Sequence, residues 1–239
     1  IPEPCNELDP SRLYWPSSPG HSLELPKTDQ VYGRGDNHYW GVWHGGDEFE
    51  AFEHNVGRFM SEYGMQSFPD LKTIKTFANE DDMNLQSDVI KVRQKASLGT
   101  GNLLKYIEQY YSMPNDFESI VQLSQIMQAE AIQTAVEAHR RNMPFCMGTL
   151  YWQFNDCWPA ISWSSIDYQG NWKALHYSAR RFYSPVFLSI HESNNMIDIC
   201  PINDQDHSIN VDLIIKLFSF DGSVLNEYSK IIEVSAISS

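Results

Sequence analysis

The sequence predicts an α/β chain: strands alternate with helices to about residue 185, and an all-β stretch runs from 186 to 239. Three observations predict it. Ile120, Leu123, Met127, Ala131, Ala135 and Ala138 recur at steps of three and four, which builds one buried helix face over residues 116–139. The helix stop Asn142-Met143-Pro144 is followed at once by a short strand at 146–152. Farther on, Val211, Leu213, Ile215 and Leu217 alternate with other residues, Asp221-Gly222 supplies a hairpin turn, and 231–234 returns as a strand.

Each element has its own signal. A first helix ends at Leu8-Asp9-Pro10, and Arg12-Leu13-Tyr14-Trp15-Pro16 reads as a strand before the loop Ser17-Ser18-Pro19-Gly20. Residues 21–36 are polar, Asn37-His38-Tyr39-Trp40 is an aromatic strand, and 47–55 is a short helix. Phe59 and Met60 make the next strand apolar, Glu62 stands at its end, Gly64 frees the backbone for a sharp turn, and Pro69 opens the next element. Helical character follows, with Asp116 as the N-cap of the long helix and 173–183 as the last helix. That order of strands and helices is what a βα-barrel produces.

Composition narrows the function. Lys and Arg number 17 against 31 Asp and Glu, a formal charge of −14, which repels nucleic acid and anionic membranes as partners. Hydrophobic residues make up 42%, enough for a sizeable core. Seven Trp suit sugar rings, whose C–H faces pack on indole, and suit core filling equally. Cys5, Cys146, Cys157 and Cys200 form no C-x-x-C, which argues against disulfide scaffolding and zinc. The eight His lack metal-ligand spacing, and His139-Arg140-Arg141 reads as the cationic end of a helix. No serine nucleophile elbow, dinucleotide fingerprint or phosphate loop occurs, so those chemistries have no support.

Two segments share a strand-then-aromatic layout: Phe59-Met60-Ser61-Glu62-Tyr63-Gly64-Met65-Gln66-Ser67-Phe68-Pro69, and Gly148-Thr149-Leu150-Tyr151-Trp152-Gln153-Phe154-Asn155-Asp156-Cys157-Trp158-Pro159. Together they resemble the seventh and eighth barrel strands of glycoside hydrolase family 2, most closely its β-mannosidases. The resemblance implies the C-terminal half of a (β/α)8 TIM barrel, strands five to eight, over 1–185, and the start of an immunoglobulin-like β-sandwich over 186–239. It implies a retaining exo-β-mannosidase that removes terminal non-reducing β-D-mannose through a covalent glycosyl-enzyme, with a β-mannoside oligosaccharide or glycan as partner and no cofactor. β-Galactosidase, β-glucuronidase, exo-glucosaminidase and a non-catalytic sugar-binding relative are the rival readings.

The resemblance also assigns residues. Glu62 matches the nucleophile, and Trp152 matches the tryptophan that floors the sugar subsite. The stretch Asp36-Asn37-His38-Tyr39-Trp40 and Val42-Trp43-His44 resembles the sixth-strand region that lines the same pocket, which makes His38, Trp40 and Trp43 candidates. Strand alternation leaves open which of His38, Tyr39 and Trp40 points inward. Asp156 is placed to bond a sugar hydroxyl or to cap its own turn. Trp15 and Ser17 are weaker candidates, and Trp163 is a candidate rim contact in a segment read mostly as packing and loop structure. Retaining chemistry needs a second carboxylate about 5–5.5 Å from the nucleophile. The family holds it in an Asn-Glu at the fourth strand; Asn6-Glu7 instead matches the helix before the fifth. The acid/base is therefore expected upstream of Ile1, the missing half of the barrel becomes a partner, and the chain alone is expected to be inactive. Family habit favours a bacterial periplasmic or secreted setting over a lysosomal one.

Overall fold

The computed structural model describes residues 2–12, 14, 17–19, 35–193 and 195–239. Helix α1 spans Pro2–Leu8 and ends where the sequence predicts. The strand expected over 12–16, with Trp15, lies largely outside the described residues. Strand β1 (Asn37–His38) and strand β2 (Met60–Glu62) pair in parallel, joined by an irregular turn and the short helix α2 (Ala51–His54). Residues 147–152 extend this pairing on the other side of β2. Met60 N–H donates to the Gly148 carbonyl at 2.8 Å, Leu150 N–H to Met60 at 2.8 Å, and Trp152 N–H to Tyr63 at 2.8 Å. The sequence predicts a regular strand there; it forms only an extended segment, with a single parallel bridge at Thr149.

Four helices pack against this small parallel unit or its loops: α3 (Leu71–Ile74), α4 (Asp88–Arg93), α5 (Gly99–Tyr110) and α6 (Phe117–Arg141). Asp116 caps α6, accepting from Ser119 N–H at 2.8 Å and from the Ser119 hydroxyl at 2.7 Å, which holds its carboxyl below the usual range. The predicted apolar face of α6 is buried at Ile120, Met127, Ala131, Ala135 and Ala138. It joins Phe52, Tyr63, Met65, Phe68, Leu103 and Tyr106 in one core. Each fully buried aromatic or aliphatic side chain there contributes about 1.5–3 kcal/mol.

His139, Arg140 and Arg141 form the last turn of α6, the cationic helix end that the sequence predicts. Arg140 is buried there and donates to the Phe182 carbonyl, to the Ser184 carbonyl at 2.9 Å and to Asp204 Oδ2 at 2.9 Å. Arg141 reaches Glu53 at 3.2 Å and Ser189 Oγ at 2.7 Å. Arg140 thus ties α6 to the end of helix α7 (Ala174–Phe182) and to Asp204, and Arg141 ties it to α2 and to the first of two hairpins beyond α7. Those hairpins are β3 (Val186–Ser193) with β4 (Met196–Asn203), and β5 (Ile209–Phe218) with β6 (Val224–Val234), both antiparallel. The predicted Asp221-Gly222 turn closes the second, with Gly222 at φ 89°. Helices, a parallel pairing and hairpins together make an α/β fold. Among the described residues no helix is long and apolar enough to cross a membrane.

Candidate active site

Glu62 closes β2, and β1 beside it supplies the groups that hold its carboxylate. Tyr39 N–H donates to the Glu62 carbonyl at 2.9 Å, which sets the register. In an extended chain alternate residues face opposite sides. His38 and Trp40 therefore come to the carboxylate, while Tyr39 turns away to Asp47 Oδ2 (2.7 Å) and packs edge-on to Phe52. The Trp40 indole N–H donates to Glu62 Oε1 at 2.9 Å, and His38 Nδ1 lies 3.6 Å from the same oxygen. The question left open by the alternation is thus decided in favour of His38 and Trp40.

Behind His38, its Nε2 meets the Ser18 hydroxyl at 2.9 Å, and Asp36 Oδ2 accepts from the Ser18 and Ser61 hydroxyls at 2.5 Å each. The imidazole is held from both sides. Glu62 keeps 26% of its side chain exposed, so its carboxylate is oriented yet open to a ligand. Such a group can act as a nucleophile or accept hydroxyl protons.

Trp152 sits on the neighbouring extended segment, bonded through its backbone to Tyr63, and is 45% exposed. Gly64 makes this neighbourhood possible. A Cβ there would run into the Trp152 carbonyl and lie 3.0 Å from Trp40 Cη2 and 3.1 Å from Trp163 Cδ1. Gly64 is not among the described glycines of positive φ; it is needed for room rather than for the turn predicted from sequence. Trp163 stands edge-on to Trp40 with centroids 6.1 Å apart, and His44 lies 5.0 Å from Trp40. Trp163 thus packs against Trp40, the residue that bonds Glu62.

The structure buries two of the candidate site residues. Trp43 is 1% exposed and stacks on Tyr106, so it fills the core instead of facing a ligand. Its backbone sits at φ 79°, a conformation that costs a bulky residue about 1–3 kcal/mol. Helix α5 holds it there: Trp43 N–H donates to Tyr106 Oη at 2.9 Å, and Asn102 Nδ2 donates to its carbonyl at 3.0 Å. Asp156 is likewise buried, and accepts from Ser162 Oγ (2.7 Å), Ser164 Oγ (2.5 Å) and Gln153 Nε2 (3.1 Å). Its carboxylate braces a turn, the second of the two roles the sequence left open. Ser17 bonds only locally in the described contacts, to the Pro19 carbonyl at 3.0 Å.

Sequence reading missed the polar groups behind the site. Tyr63 Oη and His139 Nδ1 both meet Thr149 Oγ1, at 2.6 and 2.8 Å. Burial, with the Arg141 charge second, lowers the His139 pKa to about 3, so the ring is neutral. Lys173 is fully buried, and burial pulls its pKa down to about 7 against the pull of Asp156 and Asp167. A lone Lys or His in a sequence carries no mark of such burial. A separate cavity of about 320 Å³, lined by His139, Cys146, Gly148, Thr149 and Tyr183 among others, includes none of Glu62, His38, Trp40 and Trp152. Among the described residues no group of three His, Cys, Asp or Glu is placed to hold a metal ion.

Beta-mannosidase B of Aspergillus terreus is 34% identical over 200 residues, 82% of this chain. The β-D-mannosidase of Dictyoglomus thermophilum superposes on 99% of it with a TM-score of 0.87 and 34% identity. The chain belongs to the β-mannosidase family. The Capra hircus β-mannosidase is 37% identical over 167 residues, 64% of this chain. No model of a known protein family matches. The exo-chitosanase of Amycolatopsis orientalis superposes on 80% of the chain (25% of its own) with a TM-score of 0.67 at 16% identity, a likeness of fold alone. The chain spans 23% of the Aspergillus β-mannosidase, 19% of the Capra one and 29% of the Dictyoglomus one.

Proposed function

We propose that this chain carries the nucleophile and part of the sugar-binding wall of a retaining exo-β-mannosidase of glycoside hydrolase family 2. In this reading residues 1–185 are strands five to eight of a (β/α)8 barrel, and 186–239 begin a β-sandwich. Glu62 attacks the anomeric carbon of a terminal β-D-mannose, the aglycone leaves, and water then hydrolyses the glycosyl-enzyme. The proton for the leaving oxygen comes from a second carboxylate elsewhere in the same polypeptide. Trp152 floors the subsite, and His38 and Trp40 orient the carboxylate and meet sugar hydroxyls. The site must also accept the axial 2-hydroxyl of mannose while the ring distorts towards a boat.

The observation that carries this reading is the bond from Trp40 to Glu62. It aims a partly exposed carboxylate among aromatic rings, in a chain 34% identical to a β-mannosidase over 82% of its length. The isolated chain is accordingly expected to lack efficient turnover. The test is hydrolysis of a chromogenic β-D-mannoside by the full-length protein and by Glu62→Gln, beside β-galactoside, β-glucuronide and β-glucosaminide controls. Mannoside turnover that collapses in the variant supports the reading. Preference for another sugar keeps the nucleophile and moves the specificity. A folded protein that cleaves none of them is a sugar-binding relative.

A further inference from the structure

Lys173 precedes α7 and has no exposed surface, an unusual place for an ammonium group, whose burial is costly unless it is compensated. Its Nζ lies within 3.4 Å of the Ser67 carbonyl, 3.4 Å of the Ser162 carbonyl and 3.5 Å of Ser164 Oγ. Ser67 belongs to the run that leaves Glu62, and it exchanges backbone bonds with Ser162 at 3.0 and 3.3 Å. The Ser164 hydroxyl donates onward to Asp156 Oδ2 at 2.5 Å, and Asp156 also takes Ser162 Oγ and Gln153 Nε2, the latter from the residue after Trp152. The amine and the carboxylate thus grip residues 162–164 from two sides, with Ser164 between them.

Trp163 is the residue so gripped. Gln128 Nε2 donates to its carbonyl at 3.1 Å, as does Gln153 N–H, and its ring stands edge-on between Trp40 (6.1 Å) and Trp43 (6.2 Å). Trp40 in turn donates to Glu62. We infer that Lys173 and Asp156, joined through the Ser164 hydroxyl, are positioning residues for the reaction: they lock the turn whose Trp163 holds Trp40 against Glu62. This inference rests on the reading of Glu62 as nucleophile. Neither residue touches the carboxylate itself. A buried core that served stability alone would be equally satisfied by apolar residues of the same volume. The three linked segments instead converge on one indole.

The test uses the full-length protein with Lys173→Met, Asp156→Asn and the double variant, assayed for kcat and KM on whichever β-glycoside the wild type turns over. A misplacement of about 1 Å at the reacting centre is worth about 100-fold in rate. Each single variant is therefore expected to lose about 10- to 100-fold in kcat with KM moving far less, and the double to lose no more than the worse single. The second readout is the 19F spectrum of 5-fluorotryptophan-labelled protein, with Trp40 and Trp163 assigned from Trp163→Phe and Trp40→Phe. Both resonances are expected to move in each single variant.

Unchanged kcat in folded variants, losses that multiply in the double, or unmoved Trp40 and Trp163 resonances would overturn the inference. If the wild type cleaves no β-glycoside, the proposed function fails separately, and the 19F readout alone decides whether the pair positions the indoles. If Lys173→Met does not fold, Ser164→Ala removes only the bridging hydroxyl and is held to the same two readouts.

Discussion

Strand β2 has three residues, whereas β5 and β6 have ten and eleven, yet the short strand lies in the more buried environment. Met60 is fully buried, and the run from Tyr63 to Pro69 behind Glu62 is buried throughout. The long hairpin leaves Ile214, Leu217, Phe218, Leu225, Tyr228 and Ile231 more than half exposed, paired almost wholly with itself. Ladder length therefore does not measure how firmly a residue is placed. β2 is placed by what packs on both of its sides: β1 with Trp40 on one, the 147–152 segment on the other, and the core of α2 and α6 behind. A hairpin supplies its own backbone bonds but no second layer, so its side chains gain little from burial.

Substitutions that test this contrast are ranked by expected size. Glu62→Gln in the full-length protein is expected to lower kcat by several orders of magnitude while thermal unfolding is unchanged, because a carbonyl oxygen still accepts the Trp40 N–H but no longer attacks. Behind the site, His139 has its pKa lowered from 6.5 to about 3. The unfolded chain takes up this proton below about pH 6.5 and the folded chain does not, so stability falls as pH drops from 6.5 towards 3. The full loss below that window amounts to about 5 kcal/mol. Denaturant melts across the range should show a shallower pH dependence in His139→Gln; an identical slope would place the acid sensitivity elsewhere.

Two glycines compare the regions directly. Gly64→Ala pushes a methyl into the Trp152 carbonyl and the Trp40 and Trp163 rings, which should destabilise by about 1–3 kcal/mol and depress kcat as well. Gly222→Ala meets no atom within 4 Å, but its φ of 89° strains an alanine by about 1–2 kcal/mol, and turnover should be untouched. Parallel measurement of Tm and kcat separates the two; a kcat loss in Gly222→Ala would break the contrast. The smallest effect is expected for Ile214→Thr, within about 0.5 kcal/mol in this chain. The same substitution costing more than about 1.5 kcal/mol in the full-length protein would show that further polypeptide covers the hairpin there.

The sequence by itself determined what depends on neighbours along the chain. Asp116 caps α6 because its carboxylate reaches an N–H three residues on, the spacing of Ile120, Met127 and Ala131 defines the buried face, and Asp221-Gly222 closes a hairpin. The runs around Glu62 and Trp152 were legible too, through their family resemblance, and the structure brings them side by side. Tertiary structure decided which side chains within those runs face the carboxylate. The β1–β2 register sends His38 and Trp40 to Glu62 and Tyr39 to the core, and Tyr106, 63 residues away, draws Trp43 inward. Ser162 and Ser164 claim Asp156, and the crowding of Trp40, Trp152 and Trp163 makes Gly64 necessary. Burial of Lys173 and His139 belongs to the same class. Capping and periodicity are local terms in the free energy, readable in a window of a few residues. The direction and charge state of a side chain depend on contacts that exist only once distant segments have packed.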